Sequence, residues 1–394
     1  MTKPSFLITH SWSHNMGDTA ILLATVDMLH SIAPGCSVSA LASHPSFTKE
    51  RCPRFRGHID AWPWPVPAGR PGLLDLAYYP VLFMGNLLSA AAYRLFGARL
   101  FVLNGGFSGP LTRFFESDVV ISPGGDFIGP HYFFMTAFGE MLMAKILGKR
   151  LVVCAQTIGP FRGLLHRRLA SAVLGMADLI IVREERTAQR LREAGLKDVH
   201  VTSDIAFTFP QPKKRQRKAG RVILCPKKLR EGREDYAQAM VALGRKIAAE
   251  GCEVVLVASD AYDAGLHAEI ARGIGPQAKL VGAIHPPDRL AGYIAGSDFI
   301  VSSRMHAIIL GSLSHTPFFA IGDSHKFQDV LGDLCQGCSM DAGELDEKGI
   351  ERVLDSFGRR EELRASISES FPSVKEKASR SGLILREKLT EWGL

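Results

Sequence analysis

The sequence predicts an α/β protein made of two Rossmann-like domains. Short apolar runs, typical of buried strands, alternate with helical patterns along the chain, which indicates parallel sheets covered by helices. The chain has 394 residues, enough for two domains at roughly 100–200 residues each. A polar, basic segment at 210–220 interrupts the alternation, which then starts again. We therefore expect two doubly wound sheets that face each other across a cleft.

The predicted first domain covers residues 1–209. Its helical patterns are TAILLATVDMLHSI, for which Asp18 is a suitable N-cap, followed by LLHRRLASAVLGM and RTAQRLREAG. Its predicted strands each end in a polar or glycine-rich loop and have the sequences SFLIT, SVSALAS, DVVIS, LVVCAQ and DLIIV. Ligands of such sheets bind outside the carboxyl ends of the strands, so these loops are candidate site segments.

The predicted second domain covers residues 221–394, after the linker PQPKKRQRKAG at 210–220. Its predicted strands are RVILC, EVVLVAS, KLVG, DFIVSS and PFFAIG. Helical patterns occupy about 234–250, 263–272, 287–296 and 305–314, and further helices run from about 346 to the end. We expect the last helix to pack back on the first domain.

The amino-acid composition of the chain restricts the kinds of ligand and partner that it is expected to bind. The net charge of +7 and the pI of about 9.0 favour anionic ligands or an anionic membrane surface. The sequence has no basic stripe with interleaved aromatic residues, so we predict no nucleic-acid partner. The seven cysteines lie partly in apolar runs, as in proteins of a reducing compartment. Cys335 and Cys338 have zinc-ligand spacing without a second pair, so we predict no metal site.

Targeting features are weak. The first residues lack a long apolar segment with a small-residue cleavage site, so we expect a cytoplasmic protein. The most apolar stretch, Leu73 to Leu103, is interrupted by Pro80, Asn86 and Arg94, which argues against a membrane span. Two interpretations remain for it. It could be a buried helix of the first domain, which composition favours, or a helix that rests on the inner face of a membrane.

The loop after the first strand contains Asn15, Gly17 and Asp18. Gly17 would let the backbone approach a ligand closely, and the helix N-terminus behind it offers unpaired amides to an anion. The alternative is that Asp18 only caps the helix.

Three later loops of the first domain carry further candidates. Gly124, Gly125 and Asp126 follow a strand and predict close backbone approach, either to a ligand or as a tight turn. Gln156 could bind a sugar hydroxyl or satisfy loop backbone. Arg183 ends an apolar strand, where a charge must be paired or solvated, so it forms either a structural ion pair or an anion contact.

The second domain carries the stronger candidates. Lys227, Lys228 and Arg230 follow its first strand and would suit a phosphate or a diphosphate, the alternative being a solvated basic loop.

The strongest motif places Arg304 and His306 where a buried strand turns into an apolar helix. Arg304 can bind a phosphate or carboxylate with two hydrogen bonds, and His306 can act as acid or base near neutral pH. Ser324 and Lys326 follow the next strand and bring another cation to the same edge of the sheet.

The order of these motifs resembles the polysaccharide pyruvyl transferase family. The shared pattern covers about residues 5–330 and includes N-x-G-D, a strand ending in G-G, Q-x-I-G-P, V-R-E, S-D, S-S-R-M-H-A and D-S-H-K. The most specific part is Arg304 to Ala307 together with Gly322 to Lys326. Two departures are visible: Glu184 stands where the family has aspartate, and the glycine pair continues as Asp-Phe-Ile-Gly.

The resemblance implies a GT-B-like fold and a reaction. The donor would be phosphoenolpyruvate, used as a co-substrate without a further cofactor. The acceptor would be a sugar with two suitably placed hydroxyls, lipid-linked or nucleotide-linked, in a polysaccharide or its precursor. The products would be a cyclic pyruvate ketal and phosphate. By resemblance, Arg304 would hold the donor's anionic groups and His306 would be the catalytic acid and base.

Two other functions fit the same sequence. One is a GT-B-type glycosyltransferase that uses a nucleotide-sugar, since the architecture and a basic phosphate loop would serve it equally. The other is a non-catalytic sugar- or nucleotide-binding protein of the same fold, against which the intact Arg304 and His306 argue. The fold alone does not decide between them.

Overall fold

The computed structural model describes most of the chain, namely residues 3–12, 14–63, 73–97, 108–129, 135–161, 163–213, 216–229, 233–335 and 337–394. The chain divides into two compact units. Unit 1 comprises Met1–Ser13, Ile21–Ile205 and Ser379–Leu394. Unit 2 comprises His14–Ala20 and Ala206–Ala378.

Unit 1 contains a parallel sheet in the order β3-β2-β1-β4-β6-β7-β8, with β5 paired to β6. Its strands are β1 Ser5–Ser11, β2 Ser37–Ala42, β3 Ile59–Ala61, β4 Val119–Ser122, β5 Gly125–Ile128, β6 Arg150–Ile158, β7 Leu179–Val182 and β8 Val199–Val201.

Helices cover the sheet of unit 1. They are α1 Met16–Ile32, α2 Pro45–Arg51, α3 Leu73–Phe96, α4 Ser108–Glu116, α5 Met135–Ile146, α6 Leu164–Leu174 and α7 Glu185–Glu193. Every residue of β4 and β7 is buried, because strands covered on both faces have no solvent side. This explains why these strands appear in the sequence as continuous apolar runs.

Unit 2 contains a second parallel sheet in the order β11-β10-β9-β12-β13-β14. Its strands are β9 Arg221–Cys225, β10 Glu253–Ala258, β11 Ala278–Ala283, β12 Phe299–Ser302, β13 Phe318–Ile321 and β14 Ser339–Met340. Its helices are α8 Arg233–Ala249, α9 Ala264–Ile274, α10 Pro287–Ala295, α11 Met305–Ser312, α12 Ser324–Leu331, α13 Glu347–Gly358 and α14 Arg360–Glu391, the last of which continues into unit 1.

The strand order of each sheet reverses once. In unit 2 the chain passes outward from β9 to β11 and then returns to place β12 on the other side of β9. In unit 1 the same reversal lies between β1 and β4. Helices leave such a point in opposite directions and open a crevice at the carboxyl ends of the strands, where open α/β sheets bind ligands.

The predicted fold class is confirmed, since both units are parallel α/β sheets covered by helices. The sequence places the loop at Asn15 in the first domain. In the structure, residues His14–Ala20 belong to unit 2, although the chain on both sides of them belongs to unit 1. Part of the predicted linker also forms contacts with other residues of unit 2. Arg217 pairs with Asp298, and the Lys218 amide donates to the Gly296 carbonyl at 3.0 Å.

The apolar stretch forms α3, which packs against unit 1 by one face. Leu82, Asn86 and Ala90 are buried on that face. The opposite face is apolar and exposed, with 51–79% exposure at Val81, Met84, Leu88, Leu95 and Phe96. Within the described part of the chain, no helix is both long and apolar enough to cross a membrane. The part of the stretch after Gly97 lies outside the described residues.

Candidate active site

Arg304 and His306 occupy the turn between β12 and α11. Arg304 is the N-cap residue of α11, and His306 lies in its first turn. The hydroxyl of Ser302 accepts a hydrogen bond from the Arg304 amide at 3.0 Å and donates one to the Arg304 carbonyl at 2.9 Å. The rest of α11, from Ala307 to Ser312, is buried. This apolar helix therefore anchors the turn and leaves only its first residues at the edge of the sheet.

Two carboxylates hold the guanidinium of Arg304. Its Nε and Nη2 each lie 2.6 Å from Asp263 Oδ2, and Nη2 lies 3.0 Å from Asp260 Oδ2. Burial opposes the charge of Arg304, but the two carboxylates together raise its pKa above the ordinary value. Nη1 is not buried and has no hydrogen-bond partner among the described residues. One edge of the guanidinium is therefore fixed, and the other can bind an anion.

The imidazole of His306 packs directly against the backbone of Gly17. A Cβ atom added to Gly17 would lie 2.3 Å from His306 Nδ1 and 2.5 Å from its Cβ, closer than any real contact. The loop is fixed at this position because the Met16 amide donates to the Ser259 carbonyl at 2.8 Å and Asn15 forms a bridge with Asp260. His306 is half-buried. The absence of a side chain at Gly17 thus lets its backbone lie close to the His306 side chain of unit 2.

The helix behind this loop begins differently from the prediction. Asp18 is the third residue of α1 and half-buried, not its N-cap. Asn15 precedes the helix, and its Oδ1 accepts a hydrogen bond from the Gly17 amide at 2.9 Å, as an N-cap side chain does. The prediction that Asp18 caps α1 is therefore wrong, because the helix already begins at Met16 and Asn15 is the residue that precedes it.

The basic loop after β9 reaches the same edge of the sheet. Because β9 pairs with β12 in parallel, Lys227 and Lys228 follow the strand next to the one that carries Arg304. Both lysine side chains are exposed. The Lys228 amide donates to Asp263 Oδ1 at 2.9 Å, so one carboxylate connects this loop to Arg304. Arg230 lies outside the described residues.

The loop after β13 adds the next position along the edge. Lys326 is half-buried in the first turn of α12, and its amide donates to the N-cap side chain of Asp323 at 3.0 Å. The side chain of Ser324 lies outside the described part. The loops after β10, β9, β12 and β13 are therefore neighbours around the switch point of unit 2, and three of them carry cations.

Three of the remaining candidates line the carboxyl ends of β4 and β6 in unit 1. Gly125 pairs with Gln156 across β5 and β6. Gln156 is buried, and its amide nitrogen donates to the Ser122 hydroxyl and the Pro123 carbonyl. A Cβ on Gly124 would lie 3.1 Å from the Ala155 carbonyl, so this glycine serves close packing.

Arg183 forms a buried ion pair. Its Nη1 donates to Asp204 and its Nε donates to the Thr157 hydroxyl at 2.7 Å, and only 2% of the side chain is exposed. Burial opposes its charge, but Asp204, Glu184 and Asp126 together raise its pKa above the ordinary value. Asp126 is half-buried beside this pair. Arg183 thus forms a structural ion pair, and we do not assign this residue to acceptor binding.

The sequence did not identify Asp260 and Asp263 as site residues. They stand in the segment SDAYD, directly after the apolar run EVVLVA, and the rule that loops after strands bear ligand contacts could have found them. Among the residues that the structure describes, no three His, Cys, Asp or Glu side chains are arranged as metal ligands. The side chain of Cys335 lies outside that part.

The two parallel sheets covered by helices place the chain in the Rossmann-like α/β class. The chain belongs to the polysaccharide pyruvyl transferase family, whose pattern it matches over residues 15–325. That match includes Asn15 to Asp18 and Arg304 to His306 and identifies the chain as a transferase. A search of curated proteins found no match.

Several solved structures have similar folds. A UDP-N-acetylglucosamine 2-epimerase is 14% identical with a TM-score of 0.63, covering 100% of this chain and 97% of its own. The HepE protein of Anabaena, in complex with UDP and glucose, is 12% identical with a TM-score of 0.58, covering 99% and 100%. MurG of Acinetobacter baumannii is 12% identical with a TM-score of 0.54, covering 98% and 100%. These likenesses concern the GT-B-type fold alone.

Proposed function

We propose that this enzyme transfers pyruvate from phosphoenolpyruvate to two hydroxyls of a sugar, forming a cyclic ketal and releasing phosphate. The observation that carries the proposal is the pairing of a fixed guanidinium with the half-buried residue His306 at the switch point of unit 2. Arg304 is held by Asp260 and Asp263, and His306 is held against Gly17. Family membership supports the same reaction type.

The reaction needs both an acid and a base. A proton is added to the methylene carbon of phosphoenolpyruvate, positive charge develops at C2, and the first sugar hydroxyl attacks C2. The C2–O bond to phosphate then breaks, and the second hydroxyl takes the place of the phosphate. The two hydroxyls lose two protons, of which one balances the proton added to carbon and the other leaves with phosphate. We assign the transfer to carbon to His306, since imidazole exchanges protons near neutral pH.

The donor carries a carboxylate and a phosphate, and cations must balance both. Arg304 Nη1 is the free edge of a guanidinium whose orientation is already fixed, so it binds an oxyanion without a large ordering cost. We assign the phosphate to the exposed Lys227 and Lys228, with Lys326, Ser324 and Arg230 contributing from the neighbouring loops. No part of this assignment requires a metal ion.

The acceptor sugar is assigned to unit 1. Gly124, Gly125, Asp126 and Gln156 lie at the carboxyl ends of β4 to β6, where an open sheet binds ligands. Asn15, Gly17 and Asp18 are instead grouped with the donor side, since they cluster with unit 2. The acceptor is a polysaccharide precursor that is linked to a lipid or to a nucleotide.

The choice between donors can be tested directly. Purified enzyme is incubated with phosphoenolpyruvate or with UDP-sugars, each with a panel of glycosides, and phosphate, UDP and product mass are measured. We expect phosphate to be released from phosphoenolpyruvate when a glycoside acceptor is present, and we expect no release of UDP from the UDP-sugars. Release of UDP with a glycosylated product would instead favour the glycosyltransferase alternative, for which the likeness to UDP-complexed structures such as HepE is the supporting observation.

Asp263→Asn tests the fixation of Arg304. The variant keeps the shape of the side chain but weakens two contacts of 2.6 Å to the guanidinium. We expect KM for phosphoenolpyruvate to rise about tenfold, since a charge-assisted hydrogen bond contributes about 1.5–3 kcal/mol, with KM for the acceptor unchanged. Asp355→Asn, an exposed aspartate of α13, is the matched control. Equal KM values in the two variants would contradict the assignment.

The exposed face of α3 supports a second proposal, that the enzyme docks on the membrane that carries its acceptor. Val81, Met84, Leu88 and Leu95 recur at helical spacing on one face, and the positive net charge favours an anionic surface. We expect the enzyme to float with vesicles containing phosphatidylglycerol.

Leu88→Glu should reduce vesicle binding about tenfold, because it places a charge in the apolar contact. Leu383→Glu, which changes an apolar residue with 58% exposure on α14, is the control and should float as the wild type does. Flotation that is absent in the wild type, or equal in the two variants, would refute docking through α3.

A further inference from the structure

A second cluster of polar and aromatic side chains lies in unit 1, at the carboxyl end of β1. His10 Nδ1 is 3.2 Å from Glu140 Oε2 on α5. The imidazole stacks on Trp62 with ring centroids 4.5 Å apart and an interplanar angle of 9°, and its centroid is 4.4 Å from that of Phe127. Trp12 packs against Trp62 at 5.8 Å. The reaction assigned above to unit 2 uses none of these residues.

The backbone at His10 has a conformation that is unusual within a strand. The pairing of β1 with β2 shifts register between Ile8 and Ser11, which marks a bulge, and His10 has a φ of 53°. A non-glycine residue rarely adopts this conformation, and such strain clusters at ligand sites. Bulges near strand ends re-aim side chains. Here the bulge directs the imidazole onto Glu140 and the aromatic residues.

The position in the sheet is also that of a ligand site. The strand order of unit 1 reverses between β1 and β4, so His10 ends a strand at the switch point. The glycine pair Gly124 and Gly125 follows β4, the strand on the other side of that point. Unit 1 therefore repeats the arrangement of unit 2, with a histidine beside the crevice that the reversal opens.

The chemistry of the cluster leaves one imidazole nitrogen available. Glu140 is 1% exposed, and burial raises its pKa although the neighbouring His10 lowers it. When Nδ1 donates to this carboxyl in the neutral ring, Nε2 is the acceptor. Nε2 is not buried and has no hydrogen-bond partner among the described residues.

One buried polar atom in the cluster is unsatisfied. Trp62 Nε1 has no hydrogen-bond partner within the described part of the chain, although the side chain is more than nine-tenths buried. Buried polar atoms of native proteins are nearly always paired, and an exception calls for an explanation such as a ligand. An apolar lining with a few convergent polar atoms is the usual composition of a small-molecule site.

We propose that this cluster binds one pyranose ring, with His10 Nε2 accepting a hydrogen bond from a ring hydroxyl. The half-buried rings of Trp12 and Phe127 contact the C–H face of the sugar, and Glu140 positions the imidazole. Identifying this ring with the acceptor rests on the proposed function, whereas the binding of a sugar does not. The cluster thereby extends the acceptor site beyond Gly124, Gly125 and Gln156.

The test measures binding without the donor. Methyl glycosides of glucose, galactose and mannose are added to the whole enzyme, with phosphoenolpyruvate absent, and saturation-transfer NMR reports contact. We expect at least one glycoside to bind the wild type and to bind His10→Asn about tenfold more weakly, the loss expected for one strong hydrogen bond. Asparagine is chosen because it tolerates positive φ. Trp62→Leu should weaken binding similarly.

Trp392→Leu is the matched control, since Trp392 lies elsewhere in unit 1 beside Arg150. It should bind as the wild type does, and the thermal unfolding midpoint of each variant reports folding. No binding of any glycoside to the wild type, or unchanged binding in a folded His10→Asn, would overturn the site.

Kinetics separate this site from the reaction. Glycoside binding that depends on His10 in an enzyme that never consumes phosphoenolpyruvate would leave the site standing and reject pyruvyl transfer. Ketal formation with an unchanged acceptor KM in His10→Asn would support pyruvyl transfer and reject His10 as part of the acceptor site.

Discussion

Replacing His306 by glutamine is expected to lower kcat by about 10²–10⁴-fold, the usual contribution of a general acid or base. Glutamine fills a similar volume beside Gly17 but cannot deliver a proton near neutral pH. Binding of phosphoenolpyruvate should persist, because its anionic groups are assigned to Arg304 and the lysines. Steady-state phosphate release gives kcat, and calorimetric titration of phosphoenolpyruvate gives the affinity.

His325→Gln is the control for this change. His325 is an exposed histidine of the same unit, in the first turn of α12, and no step of the reaction is assigned to it. We expect it to retain wild-type kcat. Equal kcat in the two variants, or full activity of His306→Gln, would remove His306 from the chemistry.

The second large effect is expected for Gly17→Ala. The backbone at Gly17 is helical, and alanine is the better helix former by about 1 kcal/mol, so helix propensity alone predicts a more stable protein. The added methyl group would instead lie 2.3–2.5 Å from Nδ1, Cγ and Cβ of His306. The Cβ atom cannot rotate away, so the imidazole and its turn must move.

A displacement of this size should lower kcat on the order of 10²-fold, since catalysis depends on positions within about 1 Å. Gly358→Ala is the matched control, because a Cβ there meets nothing within 4 Å and its φ is not positive. We expect the thermal unfolding midpoint of Gly17→Ala to stay within a few degrees of the wild type. A fully active Gly17→Ala would contradict the packing of His306 against this loop.

The sequence predicts the larger elements because strands buried on both faces appear as apolar runs. The strands β4, β7, β9, β10, β12 and β13 are all found where such runs occur. The strands β3, β8 and β14 have only two or three residues, too few to show a pattern, and the sequence does not predict them. The polar turn of Arg304 and His306 was visible because an apolar strand and an apolar helix flank it.

The contacts that orient the site could not be predicted. Asp263 and Arg304 are separated by 41 residues and meet because β10, β9 and β12 are adjacent. That adjacency follows from strand order, which local patterns do not encode. The same holds for Gly17 and His306, since residues 14–20 join unit 2 although the chain on both sides belongs to unit 1.

His10 is another residue whose contacts could not be predicted from the sequence. In the sequence it is the first residue of the loop after the predicted strand SFLIT, and nothing local indicates the bulge or the positive φ. Its partners Trp62, Phe127 and Glu140 come from three separate segments of unit 1. Only the fold brings them to the switch point.

The most direct test of pyruvyl transfer by this site is to run the reaction in D₂O with phosphoenolpyruvate and the panel of glycosides, and to analyse the product by mass spectrometry and NMR. We predict a ketal whose methyl group carries one deuterium, formed with one phosphate per ketal, and no such product from His306→Gln. Unchanged phosphoenolpyruvate with every glycoside, or the same deuterated ketal at the wild-type rate from His306→Gln, would contradict the account.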